Sequence, residues 1–499
     1  MALSTKDIRN VAIAGHNGTG KTSLFEQILY YSNIVSRPET VESGKTTSDF
    51  TEEEIVRKIS VHAALATVTW EGKSLNFIDT PGTADFVGEV TCAFRTCESA
   101  LMVVDARDGA QIETIKLWRN LNQREKPRMV FLNKMERERA DYGATFNHLK
   151  EEFKTTFVPV AIPMGNGTDF KGVINLIENK AYFFKPGQKE TAGDIPAEYS
   201  DEVEQYRETL MESAAEGTEE LMEKYLEEME LSADEIFTGL KEGLKNNVLV
   251  PVFCGSTANN SGITSLLDFI AEIAPSPEGA QDDIVKEDGS EEKLAVGDGA
   301  LAAFCFKTSI DQFSGKLSYL KVIQGTLTGD SDIYNPEVGK KEKPGKVYKA
   351  IGKKLVETQA LVPGEIGITA KSNVAATNCT LLGGPDQKYS FKPLRLPNPI
   401  YSLAISAADK KSEDKMNDSL HKITEEDLTF QVGYNEDTKQ TTVSGMGELH
   451  IGMILDKIRE KQKIQINTKL PRVAYRETIT KKSGIVEYAH KKQSGGHGQ

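Results

Sequence analysis

Eight consecutive residues near the N-terminus have the types and the spacing of a phosphate-binding loop. They match the pattern GxxxxGK[ST], follow the apolar run VAIA and precede the amphipathic stretch SLFEQILYY. They are Gly15, His16, Asn17, Gly18, Thr19, Gly20, Lys21 and Thr22. Glycines let successive backbone N–H groups turn toward phosphate oxygens at a helix N-terminus, whose dipole favours anions. We therefore expect Lys21 to pair with the β and γ phosphates of a nucleotide and Thr22 to bind Mg²⁺.

A second polar element, Asp79-Thr80-Pro81-Gly82, follows the apolar run LNFI. If that run is a strand, Asp79 lies at its carboxyl end and faces the same crevice as the phosphate-binding loop. We expect Asp79 to hold the water shell of Mg²⁺ and the N–H of Gly82 to sense the γ phosphate. The same four residues are also a common turn, and their spacing after the loop favours the functional interpretation.

Two further elements indicate a pocket for a base. Asn133, Lys134 and Glu136 follow the run RMVFL, and the three residues Gly255, Ser256 and Thr257 follow the run VPVF. A side-chain amide, a lysine stem that stacks along a ring and a carboxylate that accepts the N1 and N2 hydrogens of guanine together select a base. The sequence therefore predicts a guanine pocket.

The elements around these motifs alternate between strand-like runs and amphipathic stretches over residues 8–277. This order predicts an α/β domain with a parallel sheet flanked by helices, which we assign to residues 1–278. The candidate core strands are VAIA (11–14), LNFI (75–78), ALMVV (100–104), RMVFL (128–132) and VPVF (250–253). A Glu-rich stretch with Leu and Met at helical spacing interrupts the alternation and predicts an inserted helical subdomain at about residues 160–248.

The rest of the chain no longer alternates between strand-like runs and amphipathic stretches. Residues 279–299 are rich in Gly and acidic side chains and lack periodicity, which predicts a linker. Short β-branched runs between turns predict a small β-barrel over residues 300–394. The order strand, helix, strand, strand, helix, strand predicts a ferredoxin-like α+β domain over residues 395–472. We interpret residues 473–499 as the start of a truncated fourth domain.

The composition limits the class of protein. The formal net charge of −14 disfavours sequence-blind binding to nucleic acid, which depends on Lys and Arg neutralising phosphates. Five scattered Cys show no zinc-site spacing, and neither a signal peptide nor a membrane span is indicated. We expect a cytoplasmic monomer without a membrane partner.

These motifs, in this order, resemble the translational GTPases, and elongation factor G in particular. The likeness extends over VVDARDGAQ, FLNKMERERADY, PVFCGS, GKLSYLKVIQGTL, SGMGELHIGMILDKI, LPRVAYRET and HKKQSGGHGQ. The resemblance implies GTP and GDP as ligands, Mg²⁺ as cofactor, and the ribosome as partner, with contacts to ribosomal RNA and to stalk proteins that dock on the inserted subdomain. It places Ser60 where the first switch of the family has a Thr that closes over Mg²⁺. A contact with tRNA would need the rest of the fourth domain.

Three positions depart from the family pattern and indicate a divergent second copy of the factor. Thr83 stands where the family has a His that orients the attacking water, so Lys21 and Gly82 are the better candidate catalytic residues. Glu136 replaces an Asp that reads guanine, and Gly18 replaces an Asp of the phosphate-binding loop.

Three alternatives to a ribosomal GTPase remain open on the sequence. The first is a nucleotide-gated protein that binds the ribosome or another partner with little turnover, and the second is a ribosomal protection factor. The third is an ATP-using enzyme, which the Asn133-Lys134 element disfavours because that element has no role in reading adenine.

Overall fold

A computed structural model describes residues 3–311, 314–491 and 497–498. The N-terminal domain begins with the strands β1 (Ile8–Ala14), β2 (Ala64–Trp70), β3 (Lys73–Asp79), β4 (Ser99–Asp105) and β5 (Arg128–Asn133). Its first helices are α1 (Lys21–Tyr31), α2 (Glu52–Arg57), α3 (Val87–Thr96), α4 (Ile112–Gln123) and α5 (Tyr142–Phe153). Every residue of β1, β4 and β5 is buried, which explains why these strands read as continuous apolar runs.

The inserted subdomain contains a sheet as well as the predicted helices. After β6 (Thr156–Pro159) come the strands β7 (Ala161–Met164), β8 (Gly172–Asn175), β9 (Lys180–Phe183) and β10 (Thr191–Gly193), which form an antiparallel sheet. The helices are α6 (Ser200–Ala215), α7 (Glu219–Glu228) and α8 (Ala233–Lys245). A capping box of Ser232 and Glu235 begins α8. The Glu-rich pattern indicated these helices and gave no sign of the sheet.

The chain returns to the first sheet through β11 (Leu249–Cys254) and covers it with α9 (Ile263–Glu272). The strand order is β2-β3-β1-β4-β5-β11-β6, and all neighbours are parallel except β2 and β3. The predicted parallel sheet is therefore confirmed, with the antiparallel strand β2 in addition, which also pairs with β19 (Val347–Ile351) of the second domain. Because the strands run in parallel, the carboxyl ends of β1, β3, β5 and β11 meet at one edge.

Residues 279–299 are not the aperiodic linker that the sequence predicts. The strands β12 (Gln281–Lys286) and β13 (Glu291–Ala295) form a hairpin there. Only Asp282 and Ile284 of β12 are buried, and Asp282 is held by the Arg95 guanidinium at 2.8 Å. A strand whose inward side chains include one carboxylate gives almost no apolar signal, which is why the hairpin was not recognised.

The second domain is built of antiparallel strands around an apolar core that includes Leu320, Val322 and Leu381. Its strands are β14 (Ala302–Asp311), β15 (Gly315–Gln324), β16 (Leu327–Thr328), β17 (Ile333–Asn335), β18 (Lys340–Glu342), β19 (Val347–Ile351), β20 (Lys354–Thr358), β21 (Ala360–Leu361), β22 (Ile366–Ala370), β23 (Cys379–Leu382) and β24 (Tyr389–Phe391). The main strand order is β18-β17-β23-β14-β15-β22-β19, and β24 pairs with β12. The absence of helices from the described part of this domain agrees with the predicted β-barrel.

The third domain has the predicted ferredoxin-like order. Its elements are β25 (Tyr401–Ala407), α10 (Lys410–Glu426), β26 (Gln431–Asn435), β27 (Gln440–Gly445), α11 (Glu448–Gln462) and β28 (Ile466–Lys469). The strands form an antiparallel sheet in the order β26-β27-β25-β28. Met416 and Leu420 of α10 and Ile451 and Leu455 of α11 are buried in its core.

Beyond β28, the described residues form only the short pair β29 (His490–Lys491) and β30 (His497–Gly498). Residues 492–496 and 499, which belong to the motif HKKQSGGHGQ and to the predicted start of a fourth domain, lie outside the described residues. Among the helices that the structure describes, none combines the length and the hydrophobicity that a bilayer crossing requires.

Candidate nucleotide-binding site

The phosphate-binding loop joins β1 to α1. Gly20, which precedes α1, has a left-handed backbone with φ of +97°, and a β-carbon there would lie 2.2 Å from Asn133 Nδ2. No other residue type fits this position. Lys21 is buried, and its Nζ donates to the carbonyl of His16 at 2.9 Å across the loop. Burial lowers the pKa of Lys21 to about 8, so a phosphate would meet a partly desolvated cation.

The three predicted magnesium ligands lie in contact with one another. Thr22 Oγ1 donates to Asp79 Oδ2 at 2.9 Å and lies 3.1 Å from Ser60 Oγ. Asp79 Oδ1 is buried without a hydrogen-bond partner. Burial raises the pKa of Asp79 to about 6. This arrangement gives the site a carboxylate oxygen that is free to accept a metal-bound water.

A second carboxylate, Asp49, belongs to this cluster and was missed by sequence reasoning. Its side chain is buried, and neither of its oxygens has a hydrogen-bond partner. Burial, and then the charge of Asp79, raises the pKa of Asp49 to about 7. In the sequence, Asp49 stands among polar residues just before α2, where Thr51 and Glu54 form a capping box. A buried metal-site carboxylate cannot be told from helix-capping residues in such a stretch.

The donor set fits Mg²⁺. Magnesium prefers oxygen ligands and is usually held by one or two carboxylates together with phosphates and water. The hydroxyls of Thr22 and Ser60 and the unpartnered oxygens of Asp79 and Asp49 supply this chemistry. Among the described residues there is no group of three or more His, Cys, Asp and Glu placed to hold a metal alone, so nucleotide phosphates would have to complete the shell.

The predicted base pocket is formed by two loops that are bonded to each other. The N–H of Gly255 donates to Leu132 O at 2.9 Å, and the N–H of Met135 donates to Gly255 O at 3.1 Å. Asn133 joins both loops to the phosphate-binding loop, because its Nδ2 donates to Thr19 O at 2.8 Å and its Oδ1 accepts from the N–H of Thr257 at 3.1 Å.

Lys134 and Glu136 frame this pocket. Lys134 Nζ forms an ion pair with Asp105 at 2.8 Å and also donates to the carbonyl of Gly18. Its stem therefore extends along the phosphate-binding loop. Glu136 Oε2 is buried without a hydrogen-bond partner. A free carboxylate oxygen at this place is suited to accept the hydrogens of guanine N1 and N2. Ser256 and Thr257 are also buried here.

The turn after β3 lies directly over the phosphate-binding loop. A β-carbon on Gly82 would lie 2.3 Å from Lys21 Nζ and 2.8 Å from the backbone N of Asn17. Thr83 follows, and its carbonyl accepts from the N–H of Phe86 at 3.1 Å. The Thr83 side chain makes no hydrogen bond to the part of the chain that the structure describes.

Charged pairs connect this site with the other two domains. Glu89 of α3 accepts from Lys307 Nζ of β14 at 2.6 Å, and Lys307 also donates to Ala63 O at 2.9 Å. Although burial lowers the pKa of His62, its contacts with Glu53 at 3.5 Å and Glu89 at 3.9 Å outweigh that effect and raise its pKa to about 9. The ring is therefore charged at neutral pH and bridges α2 and α3.

The third domain contacts both segments that flank the magnesium cluster. Glu53 and Arg57 of α2 pair with Lys457 and Asp456 of α11 at 2.9 Å and 2.8 Å. The N–H of His450 donates to Asp85, just after the Gly82 turn, at 3.0 Å. A movement of either segment would therefore displace the residues of the third domain that are bonded to it.

Comparison with known proteins agrees with this architecture. Residues 6–276 match the elongation factor Tu GTP binding domain, residues 300–383 match elongation factor G domain 2, and residues 396–470 match elongation factor G domain III. A crystal structure of a protein from Thermus thermophilus is similar with a TM-score of 0.85 and 30% sequence identity. That similarity covers 99% of this chain and 71% of the other.

The fold and the site thus define a translation factor that binds GTP. The chain belongs to the elongation factor G-like family of translational GTPases.

Proposed function

We propose that this chain binds GTP and GDP together with Mg²⁺, acts on the ribosome in a step such as translocation, and hydrolyses GTP there. The observation that carries the proposal is the contact of Thr22 with both Asp79 and Ser60. This contact supports a magnesium site beside the γ phosphate. The phosphate-binding loop, the segment of Ser60 and the end of β3 each contribute one residue to it, as a nucleotide switch requires.

Four residues of the chain would hold the metal. The hydroxyls of Thr22 and Ser60 would bind it directly, and Asp79 and Asp49 would bind its water shell. Bound Mg²⁺ would neutralise negative charge on the β and γ phosphates. Asn133, Lys134 and Glu136, with Gly255, Ser256 and Thr257, would hold guanine.

The chain's own groups would stabilise the transferred phosphate. Lys21 Nζ and the backbone of Gly82 lie close together at the loop, where charge would develop on the γ-phosphate oxygens. The Thr83 hydroxyl is too weak a base to activate water, so correct placement of the water would depend on the ribosome.

The proposed partner is the ribosome, and the ion pairs and hydrogen bonds between domains would couple it to the nucleotide site. Glu53, Arg57 and Asp85 are each bonded to the third domain. These bonds would transmit the state of the nucleotide to the third domain and to a surface there that meets ribosomal RNA.

A second candidate function is a nucleotide-gated binder with negligible turnover. It is favoured by Thr83, whose side chain has no partner in the described residues and no useful base. Such a protein would bind its partner when it carries GTP and would dissociate when GTP is exchanged for GDP.

Single-turnover GTP hydrolysis, with and without ribosomes, tests both functions. We expect hydrolysis by the wild type that depends on ribosomes, and faster hydrolysis by Thr83→His. Thr480→His, which adds a histidine at an exposed position far along the chain, is the matched control. Nucleotide binding without turnover, rescued by Thr83→His alone, would establish the gated binder. Failure to bind GTP at micromolar concentration would contradict both functions.

A further inference from the structure

A cavity of about 350 Å³ lies between α8, α9, the sheet of the inserted subdomain and the β2–β3 turn. Four carboxylates line it: Glu71, Glu178, Asp268 and Glu272. Glu71 belongs to the turn before β3, whereas the magnesium cluster lies at the other end of that strand. The length of β3 separates the two places by about 20 Å, so the cavity is not part of the nucleotide site.

The carboxylates are not balanced by cations. No Lys or Arg lines the cavity within the described chain. Asp268 accepts from Trp70 Nε1 at 2.7 Å, and Glu178 accepts from the hydroxyl of Tyr182 at 2.8 Å, so both have neutral partners. Burial, and further the charges of the other three carboxylates, raises the pKa of Asp268 although the Trp70 hydrogen bond opposes this.

One cation outside the lining, Arg9, has a charge that acts on Glu272. Its Nη1 donates to the carbonyls of Lys6 at 2.7 Å and Ile8 at 2.9 Å, which holds the guanidinium against the neighbouring backbone. Arg9 therefore offsets one of the four negative charges at most.

An independent feature points to a ligand. Ser265 is 1% exposed and lines the cavity, and its Oγ has no hydrogen-bond partner. A buried hydroxyl without a partner costs free energy unless a ligand or water completes it. The last turn of α9 contains no basic residue, although the end of the helix dipole there favours cations.

The remaining lining is apolar and includes Val160, Ile177, Phe237 and Phe269. The cavity therefore combines separated negative charges with an apolar floor. A compact metal ion does not suit it, because the described His, Cys, Asp and Glu include no group of three placed to hold one. Ammonium groups joined by methylene chains suit both features.

We propose that this cavity binds an aliphatic polyamine. Its ammonium groups pair with Asp268, Glu178 and Glu272, one of them also donates to Ser265 Oγ, and its methylenes lie against Phe237 and Phe269. The ligand would tie the inserted subdomain to α9 and to the β2–β3 turn.

Trp70 provides a direct probe, because its indole is bonded to Asp268. In a Trp118→Phe background it is the remaining tryptophan of the two in the chain. Spermidine titrated at constant ionic strength should change its emission in a saturable way. Equilibrium dialysis of labelled spermidine against the wild type should give the same dissociation constant.

Glu178→Gln and Glu272→Gln keep the shape of the side chains and leave the Trp70 hydrogen bond untouched. Each should weaken spermidine binding by roughly 10-fold, since a charge-assisted hydrogen bond is lost. Asp418→Asn, an exposed acid of α10, should bind as the wild type does, and thermal melts should show that all variants are folded.

Three results would overturn the proposal. The first is no saturable binding of spermidine to the wild type. The second is unchanged binding by both cavity variants. The third is displacement of spermidine by MgCl₂ at equal charge concentration, which would make the cavity a general cation site.

Discussion

Gly82 and Lys21 approach so closely that a β-carbon on Gly82 would lie 2.3 Å from Lys21 Nζ. The Lys21 tip can turn aside, but the backbone N of Asn17, 2.8 Å from the same point, cannot. The turn after β3 and the phosphate-binding loop thus fit only with glycine at position 82. The contact places the backbone of Gly82 beside the lysine that we expect at the γ phosphate.

Gly82→Ala should therefore displace this turn and impair the γ-phosphate site. We expect single-turnover GTP hydrolysis to fall by about 100-fold, as misplacement by about 1 Å does in other sites. GDP, which has no γ phosphate, should bind with nearly wild-type affinity. Gly452→Ala, where an added β-carbon meets nothing within 4 Å, is the control. Equal loss of GTP and GDP affinity in Gly82→Ala would mean that the whole loop had been disturbed.

The sequence predicted best what short segments determine by themselves. β1, β4, β5 and β11 are buried along their whole length, so their apolar runs were recognised. The phosphate-binding loop and the turn after β3 are local motifs, which identify Thr22 and Asp79 directly; Ser60 follows only from the resemblance to the translational GTPases.

Features that depend on packing between distant segments were missed. Asp49 is buried and close enough to Asp79 to be affected by its charge, although the two residues are 30 positions apart. Glu53 and Lys457 are 404 positions apart, and no local pattern relates them. The segment of β12 and β13 resembles a linker in sequence because an ion pair with Arg95, rather than an apolar side chain, fixes Asp282.

The two raised carboxylates predict a pH dependence. The pKa of Asp49 is about 7 and that of Asp79 about 6, above the value of 3.8 of a free Asp. Between pH 4 and 7 the folded protein thus holds protons that the unfolded chain has released. In the absence of ligand, the contribution of these two carboxylates to stability should fall as the pH rises through this range. Because Mg²⁺ binds only the ionised carboxylates, the affinity of the GDP complex for Mg²⁺ should rise over the same pH range.

Asp49→Asn should separate these two effects. It should stabilise the ligand-free protein at pH 8 by up to about 4 kcal/mol, because the pKa of Asp49 is raised from 3.8 to about 7 and one pKa unit corresponds to about 1.4 kcal/mol. It should also weaken Mg²⁺ binding by about 10-fold, as loss of an outer-shell partner does. Thermal melts and Mg²⁺ titrations of the GDP complex measure the two quantities. Asp386→Asn in an exposed turn is the control, and unchanged Mg²⁺ affinity in Asp49→Asn would remove Asp49 from the metal site.

Glu136 should read the 2-amino group of guanine. Its Oε2 is buried without a partner, and Glu136→Gln replaces one acceptor with a donor. We expect GDP affinity to fall by about 10- to 100-fold, since a buried donor of the base loses its charged partner. Inosine diphosphate, which lacks the 2-amino group, should lose much less. If both nucleotides lost the same affinity, Glu136 would act on the loop rather than on the base.

Lys457 should hold α2 against the third domain. Although burial raises the pKa of Glu53, the His62 hydrogen bond and the charge of Lys457 together hold it well below its usual range. Lys457→Met keeps the aliphatic stem and removes only the charge. Because Lys457 is partly exposed, global stability should change by less than about 1 kcal/mol. Local opening should change more, since the Glu53 carboxylate would lose its ion pair with the third domain.

Hydrogen exchange of the amides of residues 52–57 measures that local opening. It should be several-fold faster in Lys457→Met, whereas Lys461→Met, on the same helix but without an ion pair among the described residues, should leave it unchanged. The Arg57–Asp456 pair at 2.8 Å limits the effect, so the double variant with Asp456→Asn should exchange faster than either single variant. Unchanged exchange in the double variant would show that α2 is held by its own domain, and the proposed transmission from nucleotide to third domain would have to run through Asp85 and His450 instead.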